Sequence, residues 1–132
     1  MARYAYPAVF TPKNEGYSVT FPDLEGCYTE GGDLTDAIYM AEDALALVLY
    51  GYEKEGRVIP PPSAPASLSL KEGEFVNFIA CDTLEYRKMY SNKAVKKTLT
   101  IPEWLNEEAN AIGINFSQVL QEALMEKIQA RQ

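Results

Sequence analysis

Asn92–Pro102 reads N-K-A-V-K-K-T-L-T-I-P, and its pattern decides how the C-terminal part of the chain folds. Val95, Leu99 and Ile101 alternate with Lys96, Thr98 and Thr100, the period-2 signature of a strand with one apolar face. Pro102 stops that strand and suits the first position of a helix, where its missing N–H costs nothing. Leu105, Ala109 and Ile112 follow at i, i+4 and i+7, and Gly113 ends the helix. Asn115 is placed to cap a second helix in which Phe116, Val119, Leu120, Ala123, Leu124 and Ile128 form one stripe.

Strand, helix and helix in about forty residues are too little chain to bury a core alone. A lone strand also leaves its N–H and C=O groups unpaired. A second copy whose strand lies antiparallel to the first solves both problems. That ribbon, with Lys and Thr on its outer face, has the size and chemistry to enter a DNA major groove. Ala94–Ile128 resembles the ribbon-helix-helix DNA-binding domain. The resemblance puts Lys96, Thr98 and Thr100 at the base-reading positions of the ribbon. Lys reaches guanine O6/N7, and Thr offers a hydroxyl to base edges and a methyl to thymine. Lys97 falls on the apolar-facing side and is expected to snorkel or touch phosphate. Asn115, Phe116 and Ser117 open the second helix, whose N-terminus favours an anion, here a DNA phosphate. Trp104 lies inside the first helix and is read as packing against a dimer or domain partner.

The 132 residues fit one domain or two small ones. With 47% hydrophobic and 23% charged residues the chain is ordinary globular material. Its longest apolar runs fall short of the roughly 18–20 residues that span a bilayer, so no membrane association is expected. The opening M-A-R-Y-A-Y-P lacks the apolar run of a signal peptide, and a cytoplasmic location is the expectation. Cys27 and Cys81 are too few for a disulfide framework or zinc cluster and are read as buried free thiols. The absence of histidine removes the commonest general base and metal ligand. No cofactor or metal is expected. The net charge is −7, and it is unevenly spread. Residues 1–90 hold seven Lys/Arg against fourteen Asp/Glu, whereas residues 91–132 hold five of each. An acidic N-terminal part suits a basic protein partner better than nucleic acid.

Strands are expected at Tyr4–Phe10, Tyr17–Phe21 and Cys27–Thr29, joined by turns at Thr11–Gly16 and Pro22–Gly26. Pro7 cannot donate to a ladder, which places the first strand at an edge or turns that position away from its neighbour. Gly31-Gly32 breaks the third strand, and Asp33 caps a helix from Leu34 to about Lys54. Its stripe is Leu34, Ala37, Ile38, Ala41, Ala44, Leu45, Val48 and Tyr52, with Asp36, Glu42 and Asp43 solvated. Arg57–Pro65 is extended and stiff. Phe75–Ala80 reads as a well-buried strand that returns to the first sheet. Thr83–Tyr90 makes a short helix, and Ser91–Lys93 is the expected domain boundary, giving domains 1–90 and 91–132. The fold class is α+β, an antiparallel sheet with one long helix followed by β-α-α.

Y-P-A-V-F at Tyr6–Phe10, F-P-D-L-E-G-C at Phe21–Cys27 and the G-G-D-L-T-D-A-I segment from Gly31 resemble the HicB family of antitoxins. The resemblance implies a partial ribonuclease H-like N-terminal fold that neutralises a HicA-type mRNA-cleaving toxin. Glu25 departs from the proline usual at that position. Members carry a helix-turn-helix or a ribbon-helix-helix at the C-terminus, and this chain looks like the second kind. Together the resemblances imply a type II antitoxin that binds its toxin and represses its own operon on double-stranded operator DNA. They imply a dimer through the ribbon, and the sequence leaves open whether contacts between N-terminal domains extend it to a tetramer. A stand-alone transcriptional regulator with a ligand-sensing N-terminal domain is the alternative. A retained nuclease would need several carboxylates within about 4 Å of two ions. Strand 1 supplies none from Tyr4 to Phe10, and Asp23 is read as a turn former bonded to nearby backbone. No catalytic residue is expected.

Overall fold

The computed structural model describes residues 3–90 and 93–131. Hydrophobic alternation in the N-terminal residues becomes four strands, β1 (Arg3–Pro12), β2 (Tyr17–Thr20), β3 (Tyr28–Gly31) and β4 (Phe75–Asp82). They form an antiparallel sheet of order β3-β2-β1-β4. Helix α1 (Leu34–Glu55) covers one face, and α2 (Thr83–Tyr90) follows β4 directly. The C-terminal part holds α3 (Glu103–Ala111) and α4 (Phe116–Gln129). Contacts divide the chain into two compact units, Met1–Lys93 and Ala94–Gln132. Of the expected junction at Ser91–Lys93, Ser91 and Asn92 lie outside the described residues.

The core of the first unit is built from alternate residues of β1 and one stripe of α1. Tyr6, Ala8 and Phe10 from β1 meet Ala37, Ala41, Leu45 and Leu49 from α1, with Val19, Phe21, Leu24 and Ile79 closing the sides. Leu34 stays exposed, and Leu49, outside the expected stripe, is fully buried. Asp33 starts α1 by accepting the Asp36 N–H at 2.8 Å, and Gly56 ends it in the left-handed conformation.

The structure corrects three strand readings. β1 is interior in the sheet, not an edge, but β2 ladders only Val9–Pro12, so Pro7 has a paired strand on its β4 side alone. β4 is the edge instead, and of its residues only Ile79 is buried while Phe78 is 43% exposed. Apolar composition alone does not separate a central strand from an edge that covers one side. Gly31 does not break β3 but completes it. A Cβ there would overlap the backbone N and Cα of Ala37, so the strand end abuts the first turn of α1. Backbone atoms cannot swing aside as a flexible side chain does. Gly31→Ala is therefore expected to cost about 1–3 kcal/mol of unfolding free energy. An unchanged midpoint in urea denaturation would contradict this close approach.

The Pro-rich stretch is stapled to the first unit. The Tyr6 hydroxyl donates to the Pro60 carbonyl. The Ser63 N–H donates to Asp23 at 2.9 Å, and the Ser63 hydroxyl donates to the same carboxylate. Asp23 is thus a long-range tether and not a local turn former. Glu53 accepts from the hydroxyls of Tyr4 at 2.7 Å and Thr83 at 3.0 Å, joining β1, α1 and α2. Burial, followed by the hydrogen bond to Glu53 and its charge, pushes the Tyr4 phenol up to about 12.

Candidate functional site

In the second unit the expected strand over Val95–Ile101 is absent; residues 93–102 have no regular structure. A strand exists only through its ladder, and one copy supplies no partner for this one. Pro102 sits one position earlier than expected, as the residue preceding α3. Asn115 caps α4 by accepting the Gln118 N–H at 3.1 Å. The first N–H groups of α4, from Phe116 and Ser117, have no acceptor within the helix. Gly113, with φ 75°, turns the chain between the two helices.

Among the described residues of this unit only Ala109 is buried. Val95, Leu99, Ile101, Trp104, Leu105 and Ile112 are all exposed. An apolar groove of about 480 Å³ runs along Lys97, Leu99, Ile101, Phe116, Val119 and Leu120. Lys97 therefore shares a side with Leu99 and Ile101, while Lys96, Thr98 and Thr100 take no part in the lining. That split follows the alternation in the sequence. Phe116 and Ser117 also line the groove, a placement that the stripe on α4 implied for Phe116 but not for Ser117. Trp104 is 65% exposed, with no ring partner among the described residues.

The first unit presents a second surface that helical periodicity did not single out. A groove of about 270 Å³ lies between α1, α2 and the end of β4. Tyr39, Glu42, Asp43 and Ala46 line it from α1, and Glu85, Tyr86, Met89 and Tyr90 from α2. The Tyr86 ring lies 5.5 Å from that of Tyr50 and 4.7 Å from that of Tyr90 between centroids, tilted by 48° and 39°. The Tyr50–Tyr86 pair and the Thr83 hydroxyl bonded to Glu53 join α2 to α1. The i, i+3, i+4, i+7 spacing of Tyr39, Glu42, Asp43 and Ala46 puts them on one helix face, a signal readable in the sequence. What they face was not readable.

Neither thiol is poised for chemistry. Burial pushes Cys27 up to about 11. Burial and then the nearby Asp82 and Glu53 push Cys81 up to about 12. Cys81 is only half-buried, contrary to the expectation for both cysteines. Asp23 is committed to Ser63, and Glu25 is exposed. No group of three His, Cys, Asp or Glu able to hold a metal occurs among the described residues. Likewise, no helix there is long and apolar enough to cross a membrane.

Comparison with known proteins adds the following. The model of a family described as "HicB_like antitoxin of bacterial toxin-antitoxin system" matches residues 6–126. Antitoxin HicB 2 of Photorhabdus laumondii is 35% identical over 74 residues, which is 50% of this chain and 53% of that protein. The match thus spans about half the length of that relative. A chain in a toxin–antitoxin complex from Streptococcus pneumoniae aligns over 96% of this chain and 99% of its own, at 30% identity and a TM-score of 0.62. A chain of a HicA3 and HicB3 toxin–antitoxin complex aligns over 60% of this chain and 99% of its own, at 29% identity and a TM-score of 0.51.

Proposed function

The chain belongs to the HicB-like antitoxin family, and we propose on that basis that it binds and inhibits a HicA-type mRNA-cleaving toxin and represses its own operon. The carrying observation is the full-length likeness to a chain from a toxin–antitoxin complex, which extends through both compact units. The acidity of residues 1–90 supports it, since a carboxylate-rich surface attracts a basic protein. In this reading residues 1–90, with a partial ribonuclease H-like fold, take the toxin, and residues 91–132 form half of a ribbon-helix-helix. The protein acts by binding in the cytoplasm, with no catalytic step.

The alternation at Lys96–Ile101 supports the second half. Leu99 and Ile101 line the apolar groove and Lys96, Thr98 and Thr100 do not. When two copies pair as an antiparallel ribbon, the first set packs on the helices and the second meets the major groove. Lys97 and the α4 N-terminus at Asn115, Phe116 and Ser117 then lie beside the phosphates. The assembly is a dimer through the ribbon, or a tetramer where contacts between N-terminal units join two dimers.

Two measurements test the reading. Co-expression of this chain with a HicA-type toxin restores growth if it is the antitoxin, and continued arrest despite soluble antitoxin contradicts it. For the DNA half, Lys96→Ala or Thr98→Ala weakens operator binding by about 10- to 100-fold in a gel shift, as expected for lost base contacts of about 1–3 kcal/mol. Dimerisation and toxin neutralisation stay intact. Unchanged operator affinity in both variants contradicts the assignment of this strand face.

A further inference from the structure

The groove between α1 and α2 is not needed for the core. Its rim is unusual for a water-facing surface, with Tyr39 68%, Met89 72% and Tyr90 62% exposed. Tyr and Met are enriched where proteins meet one another. At about 270 Å³ the groove falls below the roughly 300–1,000 Å³ of small-molecule sites, but it has room for a long side chain from a partner.

Its charge selects the occupant. Glu42, Asp43, Asp82 and Glu85 all line it. Lys88 holds Glu85 at 3.0 Å, and Arg3 reaches Asp82 only at 4.0 Å. Arg87 lies 5.9 Å from the Tyr50 ring. Glu42 and Asp43 have no ion pair among the described residues, and both are exposed. Four carboxylates thus stand against three nearby cations, of which Lys88 is committed to Glu85, Arg3 reaches Asp82 only at 4.0 Å and Arg87 lies near the Tyr50 ring, so that Glu42 and Asp43 keep no counter-ion among the described residues. The pKa of Tyr86 rises, through burial first and then through the charge of Asp43, as expected beside a surplus of negative charge. A guanidinium or ammonium fits both features, because it lies over a tyrosine face while pairing with a carboxylate.

We propose that this groove is the docking surface for a cationic segment of the toxin, with Arg or Lys side chains laid across Tyr86 and Tyr90 and paired with Glu42 and Asp43. The inference rests on the antitoxin reading and names the surface that reading requires. The test measures calorimetric binding of the full chain to a catalytically inactivated HicA-type toxin. The double variant Glu42→Lys/Asp43→Lys is expected to weaken binding by about 30-fold or more, the size of an interface hot spot. Tyr90→Ala weakens it as well. Glu72→Lys, an exposed charge reversal outside the groove, stays within about twofold, the range of a surface change with no partner. The substituted groove residues are all exposed, so the circular dichroism spectrum stays that of the parent chain. Parental affinity in both groove variants overturns the docking surface while the antitoxin reading stands. If the parent chain itself fails to bind the toxin, the antitoxin reading falls and the docking surface with it.

Discussion

Leu99→Glu is expected to abolish operator binding and to shift the chain from dimer to monomer in sedimentation equilibrium. In the single chain Leu99 is 58% exposed and lines an apolar groove with Ile101, Phe116 and Val119. A glutamate tolerates that site in a monomer, because water reaches it. In the proposed ribbon the same side chain is covered by the partner copy, and two-fold symmetry places the charge there twice. An uncompensated buried charge costs about 3–5 kcal/mol, so two exceed the roughly 4 kcal/mol that corresponds to a thousandfold change in association. Lys96→Ala is expected to separate the two roles, since in the proposed ribbon it removes a base contact on the outer face and leaves the dimer intact. The N-terminal unit contains none of these residues, and toxin neutralisation by Leu99→Glu is expected to persist. A Leu99→Glu protein that still dimerises and still shifts its operator would show that the strand face is assigned backwards.

The legibility of this chain follows the range of the interactions involved. Helix α1 was readable almost to the residue because its signals are local: Asp33 caps and the stripe repeats, although the left-handed Gly56 that ends the helix just past the expected Lys54 was not singled out. Helix α2 was readable from its start at Thr83 through Tyr90, where the described residues pause. Where the partner lies far along the chain, the pattern failed. Asp23 looked like a turn former because Ser63, forty residues on, gives no sign of itself in the sequence. The run Phe75–Ala80 looked buried because six mostly apolar residues do not show that β4 has a strand on one side only. For Pro7 the edge half of the expectation failed, while its other half, a position without a neighbour on one side, fits the short β2 that leaves part of an interior strand unladdered. For Val95–Ile101 the alternation is plain, but the described residues of the second unit hold no strand to pair with it, and no local rule forms a strand without a ladder partner. The groove of Tyr39, Glu42 and Asp43 was half-visible. Their shared face is a matter of helical period, but its opposite wall comes from α2, more than forty residues away.

Fluorescence can interrogate the two compact units separately, because the chain distributes its chromophores between them. All nine tyrosines lie between Tyr4 and Tyr90, and the single tryptophan is Trp104. Tyrosine emission therefore reports the sheet, α1 and α2, and tryptophan emission reports α3. Trp104, 65% exposed in one copy, is expected to shift to the blue when a partner or DNA covers it.

Phe10→Ala uses that division and carries the second large effect. Phe10 has no exposed surface, pairs with Phe75 across the β1–β4 ladder, and stacks on it at 5.1 Å between centroids with planes 11° apart. Tyr17 meets the same Phe75 ring edge-on at 6.0 Å. Truncation removes the fully buried ring on which Phe75 stacks, beneath α1, where Leu45 and Leu49 are themselves fully buried. Neither a strand ladder nor a capped helix can collapse into the space left behind, so the loss includes a cavity as well as the transfer free energy. A cost of about 3–5 kcal/mol is expected, a large share of the roughly 5–15 kcal/mol that holds a domain folded. In urea the tyrosine-reported transition moves to lower concentration, while the tryptophan-reported one keeps its midpoint if residues 91–132 fold as their own domain. Equal shifts in both signals would show a single cooperative unit and contradict the two-domain proposal. No shift in the tyrosine signal would mean that Phe10 is not the keystone of the core that its burial and stacking describe.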